Sequence, residues 1–250
     1  MRNLKNNLTT FRKGSTSIQS RRGKSFGYQV LGFGSGGAAP MEVDYLVVAG
    51  GGGGGSPNSA GGGAGGMRFS TYGPAPLNGA KIVVQAGTTY PVAVGAGGAK
   101  GVYPGTCSTK GTESSFNPSG TDMTDSITSA GGGTSAAAPL RVGGSGSNGA
   151  GWCALSGAAG NTPPTNPSQG NPGGDSSNVA NPGTAGAGGG GGASAAGYTG
   201  GSMNPNGGTG GAGVANNISG SSVTYAGGGG SGNDNRGYSS QAGSGGPGGG

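Results

Sequence analysis

The side chains able to do chemistry in this sequence are few. Cys107 and Cys153 stand 46 positions apart and are the only cysteines, and there is no His. A four-Cys or Cys/His zinc site is therefore impossible, and a nucleophilic thiol would have no imidazole to activate it. The pair admits a disulfide between loops or two free thiols. Glu113, Asp122 and Asp125 lie in one loop, where three carboxylates could hold Ca²⁺ weakly or act as a pair on a glycosidic bond. Solvated turn carboxylates are the simpler reading and outweigh both. Strings resembling GxGxxG arise by chance in so glycine-rich a chain, and none runs into a helix signal, so no phosphate cradle is indicated. With the commonest general base and commonest metal ligand both missing, no enzyme activity, cofactor or metal is expected.

What would position such residues is an unusual chain. Of 250 residues 69 are Gly and 15 are Pro, about a third together. Charged residues make up 8% and aromatic residues 6%. The apolar share of 30% leans on Ala, which buries little, so a globin, a Rossmann sheet or a barrel is not expected. No apolar run approaches the roughly 20 residues of a membrane-spanning helix, and no apolar core follows the basic N-terminus as in a secretory signal peptide.

Charge divides the chain. Arg2, Lys5, Arg12, Lys13, Arg21, Arg22 and Lys24 fall within residues 1–24 with no acidic residue among them, whereas the rest carries 6 basic and 7 acidic side chains. The net charge of +6 thus describes an N-terminal arm and not the body. Docking on an acidic partner surface is the leading reading of the arm. A solvated tail, nucleic-acid binding and a transit peptide are the others. The body has no Arg-Gly-Gly repeats and no basic–aromatic interleaving, so nucleic acid is not expected as its partner. Residues 25–42 form a compact apolar segment with Phe26, Tyr28 and Phe33 among glycines, read as a short strand or an anchor entering a partner's groove.

Residues 43–250 form the glycine-rich body. Three β-prone runs end in Ala and lead into oligoglycine: Val43 to Ala49 before Gly50 to Gly55, Ser126 to Ala130 before Gly131 to Gly133, and Ser222 to Ala226 before Gly227 to Gly230. Lys81 to Gln85 and Tyr90 to Val94, joined by Ala86-Gly87-Thr88-Thr89, read as a hairpin. The sequence lacks collagen's strict period of Gly, and its apolar anchors distinguish it from a plain linker. Glycine loses the most entropy on ordering, so ordered runs require compensation. Polyproline-II-like helices of glycine could supply it. They have three residues per turn and no internal hydrogen bonds, and without side chains they can approach closely enough to bond one another laterally. The fold expected is mostly non-regular and β: a bundle, or sandwich, of polyglycine-II helices with a few short strands, behind an extended N-terminal arm. A disordered spacer and a silk-like sheet stack are the alternatives. The scaffold positions are Gly50, Gly51, Gly52, Gly53, Gly131, Gly132, Gly189, Gly190, Gly228 and Gly229.

Tyr45 to Ala49 followed by six glycines resembles the opening of the glycine-rich domain family of bacteriophage tail-fibre and virion proteins. Tyr90 to Gly98 (YPVAVGAGG), Glu113 to Phe116, and Ser129 to Gly133 are similar to its later elements, in order. The resemblance covers residues 43–250 and implies the polyglycine-II sandwich of the adhesins at the tips of phage long tail fibres. Glycine runs there are scaffold, and the distal loops touch the host receptor. The corresponding loops are 67–80, 101–125, 152–170, 198–206 and 232–242, which hold Tyr103, Trp152, Tyr198, Arg236 and Tyr238. Aromatic side chains on rigid turns suit recognition of glycans or outer-membrane protein loops. A cap on the scaffold edge is the competing reading of Trp152. The arm and segment 25–42 have no counterpart in those adhesins and suggest an anchor into a larger particle.

The function expected from this is a structural component of a phage virion appendage, a tail fibre or its receptor-binding tip. It would be assembled in the host cytoplasm, where free thiols are the favoured state of Cys107 and Cys153, and act outside the cell. Its partners would be other virion proteins through the arm and a host surface receptor, with many copies on one particle and no membrane insertion. A purely architectural virion subunit and an ice-binding bundle are the alternatives.

Overall fold

The computed structural model describes residues 39–55, 60–102, 108–117, 126–134, 156–176, 186–201, 206–232 and 241–249. The chain divides into two compact units, Met1–Met41 with Gln85–Gly87, and Glu42–Val84 with Thr88–Gly250. Residues 1–38, which hold every candidate anchoring residue from Arg2 to Phe33, lie outside the described residues. The second unit carries the architecture that follows.

Among the described residues there is no helix, and nine strands of two or three residues stand in a mostly non-regular chain. They are β1 Met41–Val43, β2 Leu46–Val48, β3 Met67–Phe69, β4 Ile82–Val84, β5 Val92–Ala93, β6 Ser114–Phe116, β7 Ile127–Ser129, β8 Val214–Asn216 and β9 Val223–Tyr225. β2 pairs antiparallel with β3, β6 lies antiparallel between β5 and β7, and β8 pairs antiparallel with β9. β1 and β4 make a further two-stranded sheet.

The three runs ending in Ala thus contain β2, β7 and β9. The expected hairpin of 81–85 with 90–94 does not form: β4 pairs with β1, and β5 pairs with β6. Strands this short have little local preference for a partner. Burial of Ile82 beside Tyr45 and Ile127 gives β4 a distant neighbour instead. The loop expected at 67–80 begins as a core strand. Met67 and Phe69 are 3% and 2% exposed with Arg68 half-buried between them, the alternation of a strand with one buried face. The loop expected at 101–125 likewise contains β6.

Side-chain cores are small. Met67, Phe69 and Val214 pack with three alanines, and Tyr45, Ile82 and Ile127 form a second cluster. Most of the interior is backbone. Gly50 and Gly53 donate N–H to the carbonyls of Thr112 and Thr109, at 3.1 and 3.0 Å. Gly207, Gly210 and Gly213 donate to Gln241, Ser244 and Pro247, at 2.8 to 2.9 Å. Gly208 and Gly211 donate to Ala187 and Gly190, at 2.8 Å. Donors and acceptors both step by three residues, in opposite chain directions for 50–53 against 109–112 and in the same direction for the other two pairs, and each run turns a different face to each neighbour.

The space between runs repeats the same period. A Cβ on Gly188 or Gly191 would overlap the carbonyls of Gly174 and Asn171, on Gly189 or Gly192 those of Thr209 and Ala212, and on Gly190 that of Gly62. Glycine is required on these faces because another backbone occupies the side-chain position.

Candidate recognition surface

Three adjoining turns are held by this backbone lattice. The first, residues 70–79, follows β3. Its base is held by Asp44, whose Oδ1 accepts from Ser70 Oγ at 2.8 Å and from Thr71 Oγ1 at 2.6 Å. Asp44 Oδ2 lies 3.4 Å from Lys81 Nζ. Ser70 Oγ in turn accepts the N–H of Tyr45 at 3.0 Å. The Thr71 hydroxyl, then that of Ser70, and the Lys81 charge hold the Asp44 carboxyl below its ordinary range. Gly73 sits where a Cβ would strike the ring of buried Phe69, and Gly79 donates to the Phe69 carbonyl at 2.8 Å. The turn thereby presents Tyr72, Pro74 and Pro76, with Tyr72 47% exposed.

The second turn, residues 161–169, is tied together by two amide side chains. Asn161 Oδ1 accepts from the N–H and Oγ1 of Thr165 and from the N–H of Gln169, at 3.0 to 3.1 Å. Gln169 is 1% exposed. Its Oε1 accepts the N–H of Ala130 at 2.9 Å, and its Nε2 donates to the carbonyl of Pro163 at 2.8 Å. The region expected to be a receptor loop, 152–170, therefore carries a core residue at one end. Thr162, Pro163, Pro164 and Asn166 remain exposed.

The third turn, residues 217–222, joins β8 to β9. The N–H of Asn217 donates to the carbonyl of Tyr72 at 3.2 Å. The N–H of Met67 donates to the carbonyl of Gln169 at 3.1 Å, and Pro167 and Ser168 share a closed seam with Leu77 and Gly79. Turns one and two thus adjoin, and turns one and three adjoin. The result is a surface of prolines, hydroxyls, amides and one tyrosine on tightly bonded loops. Its chemistry is hydrogen bonding and aromatic contact. Asp44 is engaged in holding the first turn, and among the described residues no group of His, Cys, Asp and Glu could hold a metal ion.

Of the recognition candidates, only Tyr198 is described. Its side chain is 65% exposed, but its backbone belongs to the lattice: the N–H donates to Thr209 and the carbonyl accepts from Gly189, both at 2.9 Å. Tyr103, Trp152, Arg236 and Tyr238 lie outside the described residues, as do Cys107, Cys153, Asp122 and Asp125, while Glu113 is exposed at the start of β6. Tyr72 was not among the candidates. The signal was present in Ser70-Thr71-Tyr72-Gly73-Pro74, an aromatic residue directly before a turn-forming pair.

The ten scaffold glycines divide by surroundings. A Cβ would overlap a neighbouring backbone at Gly50, Gly52, Gly53, Gly131, Gly132, Gly189, Gly190 and Gly228. At Gly229 the nearest atom is 3.2 Å away, and at Gly51 it is 3.7 Å away.

A family model described as a glycine-rich domain matches residues 35–250, which takes in every described residue. Searches of curated proteins and of solved structures found no match.

Proposed function

The chain belongs to the glycine-rich domain family, and from that footing we propose that it is a structural component of a phage virion appendage, a tail fibre or its receptor-binding tip. Its glycine runs form a sandwich of polyglycine-II helices, and the three adjoining turns meet a host surface receptor. The observation that carries this reading is the three-residue recurrence of hydrogen bonds and of backbone-filled Cβ positions, seen in 207–213 against 241–247. Three residues per turn with lateral bonding is the repeat of that helix. The resemblance of Tyr45 to Gly55 to phage tail-fibre domains supplies the setting.

The division of labour is physical. A backbone bonded in two dimensions holds its loops without a large apolar core, and prolines and bonded amides lower the entropy lost when those loops bind. Binding is non-covalent, and many copies on one particle multiply weak contacts into avidity. The basic arm, residues 1–24, and the apolar segment, 25–42, attach the protein to other virion proteins.

Two measurements test the proposal. Labelled full-length chain is applied to a panel of bacterial strains, and antibodies to it are applied to phage particles in the electron microscope. Saturable binding to particular strains, with label at fibre ends, is expected. Label along the particle with no cell binding would favour the architectural reading. The absence of both would overturn the proposal.

A further inference from the structure

Three runs, 50–54, 61–66 and 226–230, surround a groove of about 400 Å³. The run 61–66 is its floor and bonds to both walls: Gly52 donates to Gly63 at 2.8 Å and Gly229 donates to Gly62 at 2.9 Å. With three residues per turn, each face of the floor run recurs at every third residue. Gly61 and Ala64 donate N–H to Gly188 and Gly191, and Gly63 and Gly66 donate to Gly133 and Ala130. By that period the remaining pair, Gly62 and Gly65, turns its N–H groups between the walls. Both residues are buried and line the groove, and neither N–H has a partner among the described residues.

The walls offer the opposite group. On one, the carbonyls of Gly50, Gly51 and Gly54 are taken by Gly132, Gly98 and Gly101, whereas that of Gly52 accepts no bond among the described residues. On the other, the carbonyls of Ala226, Gly228 and Gly229 are taken by Ala193, Gly246 and Gly190, whereas those of Gly227 and Gly230, again three apart, accept none among the described residues. Gly52, Gly227 and Gly230 all line the groove. Elsewhere side chains close the lattice at its edge: Ala96 and Ala99 donate to the hydroxyls of Thr112 and Thr109 at 2.6 and 2.7 Å, and Gly95 donates to that of Ser114 at 2.9 Å. Among the described residues no serine, threonine, asparagine or acidic side chain lines the groove. Buried backbone groups are almost always paired, so donors on the floor and acceptors on both walls call for an occupant.

We propose that the groove binds a glycine run of a partner protein, laid in as one more extended helix of the lattice. Its carbonyls accept from Gly62 and Gly65, and its N–H groups donate to Gly52, Gly227 and Gly230. Like groups recur along such a helix every three residues, about 9 Å, which is the step from Gly62 to Gly65 and from Gly227 to Gly230. Like-facing groups of a β-strand recur every two residues, about 7 Å, and an α-helix uses its backbone groups internally. An anion would take the floor donors but meet the carbonyls of both walls. The occupant needs glycine on the faces turned to floor and walls, because a Cβ there would overlap a carbonyl, as one on Gly190 would overlap that of Gly62. The glycine runs 61–66, 186–192 and 207–213 of this chain are already bonded to their neighbours, so a second copy could supply one only by giving those bonds up. The inference rests on the three-residue lattice and not on a phage origin.

The test uses full-length protein, a hexaglycine peptide with lysines at both ends, and NMR of the backbone amides. Saturable binding is expected, with the amides of Gly62 and Gly65 shifting and gaining protection from exchange. Replacing the peptide's glycines by alanine, or by N-methylglycine, which has no N–H to give the walls, is expected to weaken binding at least about tenfold, the scale of a lost bond to a buried group. Gly54→Val, at a groove position where a Cβ meets nothing within 4 Å, is expected to weaken binding similarly while the amides of Gly190 and Gly211 stay protected. Equal binding of the three peptides, or no binding of hexaglycine while Gly190 and Gly211 stay protected, would overturn the proposal. So would Gly62 and Gly65 amides already protected without peptide. Protection unchanged on dilution would assign the groove to the chain's own segments, and protection lost on dilution would assign it to a second copy. Exchange of Gly190 and Gly211 at unfolded rates would remove the lattice, and the proposal with it.

Discussion

Gly190 and Gly62 meet backbone to backbone, so that a Cβ on Gly190 would overlap the carbonyl oxygen of Gly62. That same carbonyl accepts the N–H of Gly229 at 2.9 Å, which leaves it little freedom to move aside. Gly190→Ala is expected to destabilise the protein by about 1–3 kcal/mol or more, the usual range for overpacking an interior. Gly54→Ala, where a Cβ meets open space, is expected to be neutral or to stabilise the protein by about 0.4–1 kcal/mol through the unfolded chain. Denaturant melts of the two variants check the contrast. Equal effects would mean that the packing of runs does not set where glycine is needed.

Gln169 joins the second turn to the glycine run that follows β7. Its amide satisfies the N–H of Ala130 and the carbonyl of Pro163 from a site that solvent barely reaches. Gln169→Met keeps the volume and strips both partners, each left with a desolvation cost of about 1–3 kcal/mol. A loss of about 2–4 kcal/mol in chemical denaturation is expected on that basis. A loss below about 0.5 kcal/mol, the range of neutral surface changes, would show that water replaces the amide.

Asp44 makes the first turn sensitive to acid. Its carboxyl is held below the ordinary value by the Thr71 and Ser70 hydroxyls and the Lys81 charge. The folded state therefore favours the carboxylate. The stabilisation is complete above the ordinary carboxylate pKa of about 4 and is lost as pH falls from there through the lowered value. Thermal melts of wild type and Asp44→Ala should differ at pH 7 and converge as the medium is acidified below about pH 4. A difference that persists unchanged into strong acid would contradict this assignment.

Tyr45 gives the opposite limit. Burial pushes its phenol pKa up, against a smaller pull from the Arg68 charge. The folded state favours the neutral phenol, so its contribution holds below the ordinary tyrosine pKa of about 10 and is lost as pH rises through the raised value. Tyr45→Phe should flatten the alkaline end of the stability profile. An alkaline decline of unchanged steepness in that variant would point to another group.

On the candidate recognition surface, Tyr72→Ala removes the exposed ring without touching Asp44, because among the described residues only the Tyr72 carbonyl is bonded, to the N–H of Asn217. Cell binding by the labelled chain is expected to weaken by about tenfold, the equivalent of the roughly 1.4 kcal/mol that one modest aromatic contact supplies. The melting temperature should stay unchanged. Unaltered binding would move the contact away from these three turns.

The runs that end in Ala before oligoglycine were legible as strands because β-prone residues bounded by glycine form a local signal, and β2, β7 and β9 lie within them. The partners of the strands were not legible. The segment around Ala86-Gly87 has the composition of a hairpin turn, yet β4 and β5 belong to different sheets. For strands of two or three residues the choice of partner depends on burial far along the chain. β3 was hidden for a related reason: Met67, Arg68 and Phe69 are too short a run to stand out, and only the apolar cluster they enter makes them core.

By itself the sequence determined that no ordinary apolar core could hold this protein, so that any ordered body would need its glycine backbone to bond with itself. That follows from composition: 69 glycines leave too few large side chains for any other interior. Only the tertiary structure decided which glycines carry that burden. Gly52 and Gly54 are identical in the sequence and two positions apart, yet one faces the carbonyl of Gly133 and the other faces an empty groove. A residue without a side chain leaves no mark in the sequence of which way it points. Its role is set by the neighbouring backbone, and that neighbour arrives from elsewhere in the chain.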